Sequence, residues 1–122
     1  MRHDILSDAM SIIANAENVG MRFCLVPKSK IVKSVLNVME ANGIIGEVTE
    51  NQDIKVELIG NVNKAGSIRP RFSVTKDDYE KFEKRYLPSR NVGFLIVSSS
   101  KGVMTQREAN GKIGGKLLAY IY

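Results

Sequence analysis

The chain has 122 residues, of which 43% are hydrophobic and 25% charged, the proportions of a soluble globular protein with one domain or two small domains that share a core. A single cysteine and a single histidine exclude an internal disulfide, a cysteine-based zinc site and a histidine metal cluster, so we expect no metal and no cofactor. No apolar run approaches the roughly 20 residues of a membrane span, and the N-terminus shows no secretory signal, so we expect a soluble intracellular protein without membrane contact.

Positive charge is concentrated in the second half of the chain. The formal net charge is +5. Residues 1–60 contain 6 Lys or Arg and 8 Asp or Glu, whereas residues 61–122 contain 12 Lys or Arg and 5 Asp or Glu. A basic half-chain favours a polyanionic partner, and nucleic acid is the commonest one.

The first half predicts a compact unit in the order α-β-α-β-β. In two stretches apolar residues recur every three or four positions, the spacing of an amphipathic helix, and Ser29 can cap the second helix. Apolar runs between and after the helices indicate strands, and the last two strands are predicted to form a hairpin. The predicted helices are residues 4–16 and 30–42, and the predicted strands are residues 21–26, 44–48 and 54–59.

A glycine-rich segment, residues 60–66, marks the boundary between two predicted domains. We place the domains at residues 1–62 and 63–122, and a boundary near residue 66 is equally compatible with the sequence. The second domain is predicted to be mainly β with one longer and one short helix, so the fold class is α/β (α+β) with two small packed domains. Its predicted elements are a strand at 67–74 interrupted at Pro70, a helix that begins at Thr75, a strand at 94–97, a short helix capped by Thr105 and a terminal strand at 116–122.

Most of the residues that could bind a ligand lie in the polar run that follows the predicted strand at 94–97. Ser98, Ser99 and Ser100 supply hydroxyls that donate and accept hydrogen bonds, Lys101 supplies a point charge, and Gly102 lets a ligand approach the backbone closely. We predict that this run forms a loop at the N-terminus of the short helix, where anions are favoured. The composition suits a sugar-phosphate backbone or an unpaired base, and an ordinary polar turn is the alternative.

Two further clusters could contact phosphates. Lys28, Ser29 and Lys30 lie at the predicted start of the second helix, where backbone N–H groups and lysine side chains point the same way. Arg69 and Arg71 are two residues apart on a predicted edge strand, so their side chains share one side of the extended chain. For each cluster the alternative is a solvated surface without a ligand.

The sequence offers no catalytic centre. Ser99 and Lys101 are the residue types of a serine–lysine nucleophile, but neighbours on an extended loop lack a base held at hydrogen-bonding distance. The alternative to a binding protein is a small enzyme that uses this loop as an anion site, and we expect no enzyme because that base is missing. Tyr79, Phe82 and Tyr86 have helical spacing and are predicted to face the core rather than to stack on bases.

Five stretches together resemble one known family. Residues 98–105 read SSSKGVMT, residues 108–109 read EA, and residues 114–120 read GGKLLAY. With residues 8–15 and 27–30, they are similar to the universal eighth family of small-subunit ribosomal proteins. The resemblance covers nearly the whole chain.

The resemblance implies two small α/β domains and a primary binder of small-subunit ribosomal RNA that acts on the central domain early in assembly of the platform. It implies that the serine loop enters the minor groove of an RNA helix. Ser99 occupies a position where the family usually has threonine, so the hydroxyl is retained and the methyl group is lost. The last residues, 117–122, resemble archaeal-type members.

The resemblance also implies partners and a location. The implied partners are small-subunit ribosomal RNA and neighbouring small-subunit ribosomal proteins, with a monomer when free, and the implied location is the cytoplasm, in the small ribosomal subunit. An alternative role is a translational repressor that binds messenger RNA through the same surface. The complete set of predicted RNA-binding residues is Ser98, Ser99, Ser100, Lys101, Gly102, Thr105, Lys28, Ser29, Lys30, Arg69, Arg71, Arg90 and Gly114.

Overall fold

The computed structural model describes residues 5–68, 72–88 and 92–122. These residues form helices and antiparallel sheets, so the predicted α+β fold class is confirmed. Contacts between residues divide the chain into two compact units, Met1–Gly66 and Ser67–Tyr122. The glycine-rich segment that suggested a domain boundary lies at the end of the first unit.

The first unit has the predicted element order. Its elements are α1 (Ile5–Asn18), β1 (Phe23–Val26), α2 (Lys30–Ala41), β2 (Val48–Glu50) and β3 (Ile54–Glu57). The strands form an antiparallel sheet in the order β1-β3-β2, so β3 is central and β1 is an edge strand. Exposed and buried residues alternate along β1 and β3, as the two-residue period of a half-buried sheet requires.

Both helices of this unit bury one apolar face. The buried residues of α1 are Leu6, Ala9, Met10, Ile13 and Ala16, and those of α2 are Val32, Val35, Leu36 and Met39. Spacings of three and four place these side chains on one side of each helix. At the start of α2, Oγ of Ser29 accepts a hydrogen bond from the backbone N–H of Val32 at 3.3 Å, so the predicted cap is confirmed.

The strand predicted at residues 44–48 is displaced along the chain. Ile44 and Ile45 are buried but lie outside any strand. β2 begins at Val48 and continues through Glu50, two residues beyond the predicted end of the strand. An irregular segment after a helix can bury an apolar pair as well as a strand can, so hydrophobicity alone misplaced this element.

The thiol of Cys24, on β1, is buried. Burial, and to a smaller extent the nearby charge of Glu17, raises the pKa of this thiol from 9.0 to about 11. Because the thiolate is the nucleophile, we expect iodoacetamide to alkylate the folded chain about 100-fold more slowly than the unfolded chain near neutral pH. Measured alkylation rates of the native and urea-unfolded chain test this, and equal rates would contradict it.

The same shift in the pKa of Cys24 predicts a pH dependence of stability. The unfolded thiol loses its proton at a lower pH than the folded one, so the free energy of unfolding decreases once the pH exceeds the unfolded pKa. The contribution of this group to the free energy of unfolding should therefore be constant below pH 9.0 and fall as the pH rises from there to about 11.

The second unit is organised around an antiparallel sheet. The elements after β3 are β4 (Ala65–Ser67), β5 (Ser73–Val74), α3 (Tyr79–Tyr86), β6 (Phe94–Ser99), β7 (Gly102–Thr105), α4 (Gln106–Ala109) and β8 (Gly115–Ile121). The described strands have the order β4-β8-β6-β7, and β5 also pairs with β8. β8, the last strand in the sequence, therefore contacts three others and positions them.

The core of the second unit joins α3 and α4 to the sheet. Its buried residues are Ile68, Val74, Tyr79, Phe82, Leu87, Leu95, Val97, Ala109 and Leu117. The hydroxyl of Tyr79 donates to the carbonyl oxygen of Ile113 at 2.8 Å, which satisfies a buried phenol and ties α3 to the segment before β8. The interpretation of Tyr79 and Phe82 as core residues is confirmed, whereas Tyr86 is half-buried and stacks on Tyr120 with ring centroids 5.6 Å apart.

The start of α3 differs from the prediction. The helix begins at Tyr79 rather than at Thr75, and Asp78 is its N-cap. The backbone N–H of Asp78 donates to the carbonyl oxygen of Thr75 at 3.1 Å, and the Thr75 hydroxyl donates to the Asp78 carboxylate at 2.9 Å. These two bonds close a turn before the helix, so the side chains with capping-box spacing bond to each other instead of capping the helix.

Candidate nucleic-acid interface

The serine-rich run forms the turn of a β-hairpin. β6 and β7 are antiparallel partners, and the pair nearest the turn is Ser99 with Gly102. Ser100 and Lys101 are therefore the exposed tip of the hairpin. The prediction that the run leads directly into a helix is wrong, because the chain returns through β7 before α4 begins.

The hydroxyl of Ser99 closes this turn. It donates to the carbonyl oxygen of Gly102 at 2.8 Å and accepts from the backbone N–H of Lys101 at 3.2 Å. Gly102 has a φ of 114°, a conformation that residues with a side chain rarely adopt. A hydroxyl has one donor and two acceptor sites, so Ser99 can still accept one hydrogen bond from a ligand but has no proton left to donate. Its first role is to hold the tip in shape.

Three other polar side chains of the hairpin have no partner among the residues that the structure describes. Within the described ranges, the hydroxyls of Ser98 and Ser100 and the ammonium group of Lys101 make no hydrogen bond or ion pair. Ser100 and Lys101 are exposed, and Ser98 is half-buried. Hydroxyls can bond to phosphates, base edges and 2′-hydroxyls, and the ammonium group attracts phosphate. The tip is therefore chemically suited to the surface of a nucleic acid.

Two glycines bring the start of β8 into backbone contact with its neighbours. A Cβ at Gly115 would lie 2.3 Å from the carbonyl oxygen of Ser98, and a Cβ at Gly114 would lie 2.4 Å from that of Val74. Neither position has room for a side chain. Gly114 was predicted to contact RNA, and the structure shows it half-buried in this close packing.

Strand pairing places two more polar residues in line with Ser98 across the sheet. Lys116 on β8 is opposite Ser98 on β6, and Ser73 on β5 is opposite Lys116. Both Lys116 and Ser73 are exposed. The sequence prediction missed both residues because strand neighbours cannot be read from local pattern. For Lys116 the available signal was its place in the GGKLLAY stretch.

Thr105 and Gln106 face the interior. Thr105 is the N-cap residue of α4, as predicted, but it is 0% exposed, and its hydroxyl makes no capping bond and has no partner among the described residues. Oε1 of Gln106 accepts from the buried backbone N–H of Leu95 at 2.7 Å, and the Arg107 guanidinium lies 4.5 Å from the ring centroid of Phe94. These contacts fix α4 to β6, and they leave Thr105 away from the exposed surface to which it was assigned.

The predicted cluster at the start of α2 is partly engaged in other contacts. Ser29 caps the helix, while Lys28, at 2.8 Å, and Lys33 both pair with the carboxylate of Glu50. Hydrogen bonds from Lys28 and Lys33 lower the pKa of Glu50 from 4.5 to about 2, so their contribution to stability is present above pH 4.5 and is lost as the pH falls towards 2. Lys30 is exposed and has no such partner in the described chain.

Arg69, Arg71 and Arg90, which were also predicted contacts, lie outside the described residues and stay predictions. Within residues 5–68, 72–88 and 92–122, no group of three His, Cys, Asp or Glu side chains could hold a metal ion. In the same residues no helix is long and apolar enough to cross a membrane.

The hairpin belongs to the basic unit of the chain. Residues 67–122 contain 11 Lys or Arg and 5 Asp or Glu. Such an excess raises the local concentration of a polyanion and accelerates its association. The free hydroxyls and the charge are therefore found in the same unit.

A comparison with protein families bears on nearly the whole chain. A family model described as Ribosomal protein S8 matches residues 4–122. The matched span contains both units, the hairpin and β8.

Proposed function

The chain belongs to the ribosomal protein S8 family, and from this we propose that it is a primary binder of the central domain of small-subunit ribosomal RNA and helps to assemble the platform of that subunit. Membership itself makes it a ribosomal protein that binds ribosomal RNA, in a family of structural proteins rather than enzymes. The proposal adds the region of RNA and the step of assembly. It also places the chain in the cytoplasm, in the small ribosomal subunit, as a monomer when free.

The observation that carries this proposal is the hairpin tip with its unpartnered hydroxyls. The minor groove of an RNA helix is wide and shallow and displays 2′-hydroxyls and base edges. Short side chains are therefore long enough to reach these groups. Ser98 and Ser100 have short hydroxyl side chains, and Gly102 has no side chain to obstruct the groove. The Ser99 hydroxyl bonds to the backbone of Lys101 and Gly102 and so fixes the shape of the turn. The tip therefore recognises the shape of the groove and forms hydrogen bonds there.

Positive charge and hydroxyls have separate roles in this mechanism. Lys101 and the excess charge of the unit attract phosphates in any RNA, and this attraction weakens as the salt concentration rises. Hydrogen bonds from the tip depend on groove geometry and on unpaired bases, so they distinguish one RNA from another. No covalent bond is made or broken.

Neighbouring small-subunit ribosomal proteins are the second class of partner that we propose. On the first unit, the exposed side chains of Val19, Met21, Phe23 and Leu25 line a groove of about 530 Å³ along β1. These side chains are apolar and exposed, so this face suits an apolar segment of a neighbouring protein better than an RNA backbone. Leu25→Ser should reduce incorporation into reconstituted subunits without changing affinity for isolated RNA. Unchanged incorporation would contradict this use of the face.

Chemical probing of the RNA tests the function itself. The reactivity of 2′-hydroxyls to acylation would be measured along a central-domain fragment of small-subunit ribosomal RNA, with and without the chain. We expect protection confined to one helix with an irregular internal loop. The double variant Ser100→Ala, Lys101→Ala should lose that protection, and protection spread over unrelated helices would contradict the proposal.

A further inference from the structure

We propose that Ser73, Lys116 and Ser98 form a second RNA-binding row, which crosses the sheet beside the hairpin tip and holds one sugar-phosphate strand. This inference rests on the proposed function and adds residues to its binding surface. Lys116 would contact a phosphate group, and the two serine hydroxyls would contact the sugars on either side of it.

The geometry of the row follows from strand register. Ser73 is opposite Lys116 across β5 and β8, and Lys116 is opposite Ser98 across β8 and β6. Residues directly opposite in a sheet point to the same face. Adjacent strands are about 4.8 Å apart, so the row extends about 10 Å from Ser73 to Ser98. It ends where the chain enters the hairpin tip, and the two surfaces are therefore continuous.

The side chains of the row are available for binding. Lys116 and Ser73 are exposed, and Ser98 is half-buried. None of the three side chains has a hydrogen-bonding or ionic partner among the residues that the structure describes. A lysine between two hydroxyls, with no ion-pair partner in the described part of the chain, fits a phosphate flanked by ribose hydroxyls.

Close packing constrains the backbone beneath the row. Gly115, next to Lys116, has no space for a Cβ, which would lie 2.3 Å from the carbonyl oxygen of Ser98. β8 and β6 are thereby held at a fixed separation at this point. Binding therefore needs no rearrangement of the backbone, and the conformational freedom that is lost is that of the side chains.

Exchange of Lys116 for alanine tests the row, with Lys84→Ala as the matched control. Lys84 is an exposed lysine of the same unit, on α3, and it pairs with Glu80 at 3.8 Å. Affinity for the central-domain fragment would be measured over a range of salt concentrations. We expect Lys116→Ala to weaken binding about 5-fold to 10-fold. It should also reduce the slope of log affinity against log salt concentration by about the amount due to one phosphate contact, whereas Lys84→Ala should change affinity and slope little.

Two further variants separate charge from geometry. Lys116→Arg should retain most of the affinity, and Ser73→Ala should lower it about 3-fold to 10-fold, because a single hydrogen bond is lost. If Lys116→Ala behaves like Lys84→Ala while the unmodified chain still prefers the ribosomal fragment, the row is wrong and the proposed function stands. If the unmodified chain shows no preference, the proposed function and the row both fail.

Discussion

Gly115→Ala should destabilise the second unit by about 1 to 3 kcal/mol, the usual cost of forcing an extra methyl group into a packed site. The added Cβ would lie 2.3 Å from the carbonyl oxygen of Ser98 and 3.0 Å from Cγ2 of Val97. Because a backbone oxygen of β6 cannot move aside as a side chain can, the two strands must separate. Urea unfolding followed by circular dichroism measures the effect.

Gly46→Ala is the matched control for this prediction. A Cβ at Gly46 would meet the carboxyl group of Glu57 at 2.9 Å, but that side chain is exposed and can rotate away. We expect a change within about 0.5 kcal/mol, as for most surface substitutions. Equal effects of Gly115→Ala and Gly46→Ala would show that the contact between β8 and β6 is not the constraint we describe.

Ser99→Ala should weaken binding to the ribosomal RNA fragment about 10-fold and leave the fold intact. The substitution removes the hydrogen bond to Gly102 and the one from Lys101, each worth about 1 kcal/mol, so the tip loses its preferred shape before RNA arrives. Affinity measured by fluorescence anisotropy, together with circular dichroism, checks both parts of the prediction.

Two variants control for this effect. Ser11→Ala removes an exposed hydroxyl from α1, in the first unit, and should change affinity little. Ser99→Thr keeps the hydroxyl that closes the turn, so it should retain affinity. An unchanged affinity of Ser99→Ala with an intact circular dichroism spectrum would refute the role assigned to Ser99.

Local sequence pattern predicted those elements of the first unit whose structure depends on residues within the element. Helical spacing predicted α1 and α2, and the position of Ser29 predicted a cap that the structure contains. Thr75 was predicted to begin a helix and Thr105 to cap one, but neither side chain makes a capping hydrogen bond. At Thr75 the hydroxyl bonds to a carboxylate, and Thr105 is buried by tertiary packing that no local pattern reveals.

The candidate site shows the same division between local and non-local information. Its hydroxyls, lysine and glycine could be read from one stretch of sequence, and so could their suitability for RNA. The hairpin was missed although it is local, because the polar run was interpreted as a loop before a helix rather than as the turn between β6 and β7. The place of Lys116 beside Ser98 depends on the pairing of strands far apart in the sequence, so it required the structure.

Preferential binding to ribosomal RNA is the most direct test of the account. Affinity of the chain would be measured for a transcribed central-domain fragment of small-subunit ribosomal RNA and for an unrelated RNA duplex, each at two salt concentrations. We predict tighter binding to the ribosomal fragment and a preference that persists at the higher salt, because groove-specific hydrogen bonds are screened less than phosphate contacts. Equal binding to both RNAs that disappears at the higher salt would contradict the assigned function of the hairpin.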